Sequence, residues 1–399
     1  MFMLLVLIHE LGHFISAKRS GVKVLEFGIW IPPKVCNLWK DKSGTEYSLN
    51  RIPLGGFVRL KWEDPDKEED FKAKDSFIKA KLRRKIIILL AGVFSNFVLA
   101  WILFTIVFAL WTKPISIASE NVVHSKSNSY FFPTKKFLYE KWYITEEMKN
   151  KMQLLPVSVE DIETWSVASK IGMRTWDVLK SINKVNINVR NIDSVLKENT
   201  WKLDIAIVRK WKKLRLSWIC GSANCEMWIA YGITGISELE IFQNNMIKFS
   251  VPKAMLISLQ EISAQTRLTF NVLGILGKSL ISFNWVKIKK ELNRMTWPVG
   301  AVKIGEMLYN EGGWKLFLAF AGMISLALAV FNVLPIPALD GGRLLGVLIQ
   351  WLGKLKPEKY FVIESYINLI FFILLMWFGV YIILKDLVRF WNVKIPFIG

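Results

Sequence analysis

The chain has 399 residues, 52% of them hydrophobic and 22% charged, a balance that excludes a disordered chain and is high for a soluble domain. Its 53 Lys plus Arg against 33 Asp plus Glu give a formal net charge of +20, which suits either nucleic acid or the anionic face of a bilayer. Three cysteines, Cys36, Cys220 and Cys225, are too few for a disulfide framework and lack zinc-ribbon spacing.

In chain order, residues 1–17 are predicted as a first membrane helix, apolar except for His9, Glu10 and His13. At about 1.5 Å per residue it spans roughly 25 Å, short for a full crossing, so either it stops partway or the chain lacks its true start. Without a basic leader region or a small-residue cleavage site it does not read as a signal peptide. Residues 18–85 form a loop with 17 Lys plus Arg, four of them (Lys81, Arg83, Arg84, Lys85) crowded at its end. Within it, Glu26–Ile29 and Ile52–Leu60 read as strands of a small sheet. Ile86–Trp111 then runs 26 residues without a charge, longer than the roughly 20 that cross a hydrocarbon core. This run decides for membrane over nucleic acid.

Residues 112–153 mix aromatic and basic side chains without a period and read as an insertion. Residues 154–218 contain short strand-like runs such as Val178–Ile182 and the alternating Leu203–Val208, a small β-rich domain. Residues 219–315 are predicted as a linker in which Met246–Ile281 has the spacing of an amphipathic helix lying on a membrane or on the domain. Residues 316–342 form the third span, 343–362 a second loop, 363–385 the fourth span and 386–399 a tail. The positive-inside rule places the two loops in the cytoplasm and the segment from Lys113 to Lys315 outside.

The chemistry begins at His9-Glu10-Leu11-Gly12-His13. On a helix, positions i and i+4 share a face, so two imidazoles can hold one Zn²⁺ with Glu10 beside it as a general base. Ionisable groups in an apolar stretch cost roughly 2.5 to 3.5 kcal/mol each, which argues against two stray histidines. A third protein ligand is needed, and Asn332–Gly342 supplies Asp340. Pro335 and Pro337 break the helix and Gly341-Gly342 free the backbone, so the carboxylate can turn toward the first helix. His124 reads as a surface residue.

These pieces together resemble a site-2 protease, an intramembrane zinc metalloprotease of the bacterial regulator-of-sigma-E group. His9–His13, Ala91-Gly92-Val93-Phe94-Ser95-Asn96, the Asn332–Gly342 motif and a PDZ-like stretch from Ala168 to Ile187 carry the resemblance, in order, over nearly the whole chain. It implies that His9, His13 and Asp340 bind zinc and that Glu10 is the catalytic acid and base. Asn96, Asn332, Gly56 and Phe57 are implied to handle substrate. The implied fold is a multi-pass α-helical membrane protein of about four transmembrane helices. A membrane-re-entrant β-hairpin lies on its cytoplasmic side and a PDZ-like α+β domain outside the cytoplasm. The implied setting is the cell inner membrane, with single-pass membrane proteins such as anti-sigma factors or signal-peptide remnants as substrates. An upstream site-1-type protease would act first, and no nucleic acid takes part. Two other classes compete with this reading. A transporter calls for charge pairs across several spans, and an inactive scaffold binding through its PDZ-like domain calls for a lost ligand.

One departure concerns tryptophan. Trp30, Trp62, Trp165, Trp176, Trp211 and Trp297 stand where the family pattern calls for glycine, in a chain with 18 tryptophans. A gene whose UGA codons mean glycine, translated as tryptophan, would produce this pattern. Aromatic residues of the membrane interface are the competing explanation.

Overall fold

The computed structural model describes residues 1–61, 73–115, 129–133, 137, 154, 156–162, 166–174, 177–188, 190–197, 202–209, 212–219, 229–233, 247–282 and 299–391. Trp62, Trp165, Trp176, Trp211, Trp297, His124, Cys220, Cys225, most of the 112–153 insertion and the end of the tail lie outside the described residues. The elements run α1 (Phe2–Arg19), β1 (Val24–Lys40), β2 (Glu46–Leu60), α2 (Leu82–Leu110), β3 (Val157–Ile162), α3 (Val167–Lys170), β4 (Val178–Ile182), β5 (Val185–Asn186), α4 (Ile192–Lys197), β6 (Lys202–Arg209), β7 (Lys212–Ile219), β8 (Ile229–Ile233), α5 (Val251–Ile281), α6 (Val299–Val333), α7 (Asp340–Leu352) and α8 (Pro357–Trp391). They fall into two compact units, residues 1–112 with 248–399, and residues 113–247.

In the first unit, α1 buries Leu5, His9, His13 and Ala17, a stripe spaced by four that sets both imidazoles on the packed face. Lys18 and Arg19 in its last turn suit the negative end of the helix dipole, and Gly21 (φ 73°) lets the chain leave it. Glycines allow α1 and α2 to approach closely. A Cβ on Gly12 would overlap Ser95 Oγ and the Ala91 carbonyl, and one on Gly92 would overlap the His13 ring.

Among the described residues, three helices are long and apolar enough to cross a membrane, Leu82–Leu110, Gly300–Val333 and Val362–Asp386. Four spans are expected from the sequence; α1, with Glu10, Lys18 and Arg19 beside His9 and His13, is too polar to count with these three. Helix α6 begins at Val299, well before the expected 316, and its backbone breaks at Gly313 (φ 65°). It stops at Val333, ahead of Pro335 and Pro337. The stretch predicted as a loop over 343–362 is mostly helical, 343–352 belonging to the separate helix α7 and 357–362 to the start of α8.

The expected two-strand hairpin is a sheet of four segments, because β1 and β2 both bend. Segment 24–29 pairs on one side with 56–60 (Glu26 with Arg59, Ile29 with Gly56) and on the other with 46–49 (Glu26 with Glu46, Ile29 with Leu49). Segment 34–40 then pairs with 46–50 from the far side. The order is therefore 34–40, 46–50, 24–29, 56–60, with 56–60 at one edge. Glu26 is buried in its middle, taking the Ser48 hydroxyl at 2.6 Å and ion-pairing with Lys34 at 2.9 Å and Arg59 at 3.0 Å. Burial pushes the Glu26 carboxyl pKa up, but Ser48, Lys34 and Arg59 outweigh it and hold the group below its ordinary value.

The second unit is an antiparallel sheet in the order β7-β6-β4-β3-β8, with β5 paired to β4. Val157, Val159, Leu179, Ile182, Ile205 and Ile207 form its core; those of β3 and β6 stand at alternate positions, as a one-faced sheet requires, while Leu179 and Ile182 share a face across an irregularity in β4. Strand β8 pairs with β3 (Val157 with Ile233) and lies beyond the expected domain end at Trp218, inside the predicted linker. Buried Asp177 is clamped by Arg209, which donates from Nε and Nη2 at 2.7 Å each.

Candidate metal centre

The three sequence-selected donors come together. His9 Nε2 lies 3.0 Å from Asp340 Oδ2, His13 Nε2 lies 3.3 Å from the same oxygen, and the two Nε2 atoms are 3.1 Å apart. A tetrahedral ion with ligands at about 2.0 to 2.1 Å has ligand–ligand edges of about 3.3 Å, so this triangle is close to one face of a zinc site. It is also a cluster of lone pairs crowded around a carboxylate, an arrangement that a cation at its centre relieves. His9 and His13 are 7% and 9% exposed, so water cannot take that place in bulk.

The outer contacts set the tautomers. His13 Nδ1 donates to the Ile88 carbonyl of α2 at 2.8 Å, which leaves Nε2 with its lone pair toward the cluster. His9 Nδ1 faces the amide of Asn96 at 3.4 Å. Asn96 is fully buried, and its Oδ1 has no partner among the described residues. With the amide turned over, that oxygen accepts from His9 Nδ1–H, satisfying both atoms. The structure thus places Asn96 behind His9, and Asn96 does not line the cavity. Its own carbonyl accepts from Ser325 of α6 at 2.9 Å.

Asp340 arrives from the other end of the chain. It is the first residue of α7, where the amide dipoles favour a carboxylate. The turn from Leu334 to Leu339 folds tightly over it, and a Cβ on Gly341 or Gly342 would overlap the carbonyls of Val333, Leu334 and Ile336. Leu339 N–H donates to Ile336 O at 3.1 Å, and Ala338 takes φ 74°.

A cavity of about 360 Å³ opens beside the donors, lined by Glu10, His13, Asp340, Phe57, Arg59 and Arg343 among others. Glu10 is one residue along from His9 and reaches this space. The edge strand 56–60 forms one wall, with Gly56 close to Leu7 Cδ1 (3.3 Å) and Glu10 Cγ (3.9 Å), measured from where a Cβ would stand. Phe57 lies on this wall, whereas Asn332 is half-buried in the last turn of α6 and outside the lining. The sequence missed the roles of Ile88 and Gly92. The small-residue spacing of Gly12, Ala91, Gly92 and Ser95 is the signal that marks such a contact.

The sheet is moored to α1 by Lys18, which forms an ion pair with Asp41 in the turn between β1 and β2. Lys18 holds the Asp41 carboxyl well below the usual carboxylate range, helped by the Ser43 hydroxyl and the Thr45 amide. Trp39 stacks on Tyr47 at 4.4 Å across the neighbouring segments 34–40 and 46–50.

Apolar helices that bring two imidazoles and a carboxylate together, with Glu10 lining the cavity beside them, define the metallopeptidase class by their chemistry. The model of peptidase family M50 matches residues 1–376, and the chain belongs to that family. A Nostoc protein named "Putative zinc metalloprotease" is 26% identical over 390 residues, covering 96% of this chain and 92% of the relative. A Clostridium perfringens protein of the same description is 29% identical over 398 residues, covering 97% and 96%. The "Membrane metalloprotease ARASP, chloroplastic" of Arabidopsis thaliana is 23% identical over 391 residues, covering 96% and 76%. The chain is a zinc-dependent metalloprotease of the membrane.

Proposed function

We propose that the chain is an intramembrane endopeptidase that hydrolyses peptide bonds within or near the transmembrane segments of single-pass membrane proteins. His9, His13 and Asp340 hold its zinc, and Glu10 is its general base and acid. The convergence of three donor atoms beside Glu10, in a cavity among apolar helices, carries this reading. When bound, zinc supplies Lewis acidity toward the scissile carbonyl and the attacking water. Glu10 takes the proton from that water and delivers it to the departing amine. The Ile88 carbonyl and Asn96 keep the imidazoles in the tautomers that zinc binding needs.

A helical substrate shields its own peptide bonds, so it must be extended before it is cut. The edge strand 56–60 can pair with the extended segment through main-chain hydrogen bonds and lay it across the cavity, with Gly56 and Phe57 as contacts. The basic loops favour an orientation with the sheet in the cytoplasm and residues 113–247 outside, in the cell inner membrane. The outer β-domain, PDZ-like in this reading, selects substrates by size or by a freshly exposed C-terminus left by an upstream site-1-type protease. A scaffold without activity is the weaker alternative, since Glu10 and all three donors are present.

Glu10→Gln separates the two. The variant should keep zinc, because Glu10 is not a ligand, and lose cleavage of a transmembrane substrate by at least about 10²-fold. Cleavage equal to the parent would remove Glu10 from the reaction, and an absence of zinc from the parent protein would remove the reading altogether.

A further inference from the structure

The turn that delivers Asp340 is tied to a helix that takes no part in the metal centre. Asn368 of α8 accepts the Ala338 N–H on its Oδ1 at 3.0 Å, two residues before Asp340. Ala338 has φ 74°, a conformation that residues with a Cβ seldom adopt, so the backbone there needs an outside hold. The Asn368 side chain is in turn hydrogen-bonded to the Glu364 carboxylate one helical turn earlier. Carbonyl and amide of Asn368 are therefore both assigned, and the side chain cannot turn over without losing both bonds. Glu364 also sits in the field of Arg343 on α7 and Lys85 on α2, and it lies against Gly346, where a Cβ would meet its Oε1 at 2.7 Å.

The rest of α8 gives the bundle little. The apolar window of Val362–Asp386 is only 6% buried within the chain, against 50% for Gly300–Val333. At its far end Asp386 accepts the Gly300 N–H at 3.0 Å. Polar contacts at the two ends, and not apolar packing along the length, fix this helix. An amide and a carboxylate in an apolar helix are costly; here both are half-buried, Asn368 bonding the turn that carries the third donor and Glu364 bonding Asn368.

We propose that Asn368, oriented by Glu364, is a positioning residue for the metal centre: it fixes the Ala338 amide and thereby holds the Asp340 carboxylate within reach of His9 and His13. This rests on the zinc reading above. Docking of α8 and completion of the donor triangle are then one event, although α8 contributes no ligand.

The test uses the full-length chain in detergent and reads the zinc dissociation constant by competition with a chromophoric chelator, alongside the melting temperature of the metal-free protein. Asn368→Leu removes the acceptor and should weaken zinc about 10- to 100-fold, the usual cost of losing an outer-shell partner. The double variant Glu364→Gln with Asn368→Asp exchanges the carboxyl and amide and keeps an acceptor for Ala338 N–H, so its zinc affinity should return to within about threefold of the parent. Asp386→Leu removes the acceptor of the Gly300 N–H at the other end of α8 and should move the melting temperature without moving zinc affinity. If Asn368→Leu cannot be recovered, Asn368→Ala with the same double variant gives the same comparison. Zinc affinity unchanged within twofold in the acceptor-less variant, or equally weakened by Asp386→Leu, would overturn the proposal. A parent protein that binds no zinc would instead count against the reading on which it rests.

Discussion

Two carboxylates, fully buried Asp177 in one unit and half-buried Asp340 in the other, show what separates a structural charge from a candidate metal ligand. Asp177 is fully buried, yet both its oxygens are taken: Arg209 donates to each, and the Arg174 amide adds a bond at 2.8 Å. The positive charge is supplied by the same domain, so nothing from outside is called for. Asp340 instead meets two imidazole nitrogens that are also within 3.1 Å of each other, so three metal-type donor atoms converge where Asp177 meets a guanidinium. Burial alone does not mark a site; convergence of such donors does.

The comparison can be broken most directly by removing each carboxylate. Asp340→Ala should abolish stoichiometric zinc, a larger loss than the roughly 10- to 100-fold that outer-shell changes cause, as read by metal analysis of the purified protein. Asp177→Ala should leave zinc content untouched and destabilise the β-domain by about 3 kcal/mol, because it strands a guanidinium that is 22% exposed. Thermal unfolding followed by limited proteolysis of residues 113–247 reads that loss. Zinc lost from Asp177→Ala, or retained by Asp340→Ala, would erase the distinction.

A smaller effect tests backbone strain in the first unit. Among the described residues, six non-glycines have positive φ, and two of them are tryptophans: Trp30 at 70° and Trp111 at 113° with ψ 143°, the latter in a region that is essentially glycine's own. Trp30 was among the six suspected of standing in for glycine, and Trp111 was not. Replacing each by glycine should stabilise the protein by about 1 to 2 kcal/mol, seen as a higher melting temperature. A fall in stability, or UGG codons at these positions in the source DNA, would leave them as true tryptophans.

The smallest effect is the mooring of the sheet to α1. Because Asp41 has a folded pKa below its ordinary 3.8, its pairing with Lys18 contributes stability that is complete above that value and lost as pH falls through the lowered one. The contribution should be less than about 1 kcal/mol, since the pair is partly solvated. Asp41→Asn should accordingly reduce stability near neutrality and flatten its decline below about pH 4, measured by denaturant titration at several pH values.

The metal centre was legible where its logic is local. His9 and His13 share a face by helix period alone, and Asp340 stood out through the prolines and glycines around it. What the sequence hid depends on distant partners. The Asp41–Gly44 turn marks 34–40 and 46–50 as neighbours, but the pairing of 46–49 with 24–29 depends on the bends in both strands, and β8 paired with β3 across some 70 residues. Arg343, Lys354, Lys356 and Lys359 mark 343–362 as a segment at the membrane edge, a signal that carries no information on whether it is helical. Asn96 was visible as a polar residue in an apolar run, but only the folded chain shows that it backs His9.

The closeness of α1 and α2 has one more implication. Where Gly12 and Gly92 let the helices touch, no acyl chain and no polypeptide can slip between them, so that seam is shut to traffic from the bilayer. If the proposed substrate moves sideways out of the lipid, its way to Glu10 lies on the opposite flank of α1, past Val6 and the glycines at 55–56. The doorway and the pairing edge would then be the same place, and a segment would be straightened as it enters. A cysteine carried near the scissile bond should accordingly crosslink to Phe57→Cys and not to Phe94→Cys on the exposed side of α2; the reverse pattern would put the doorway elsewhere.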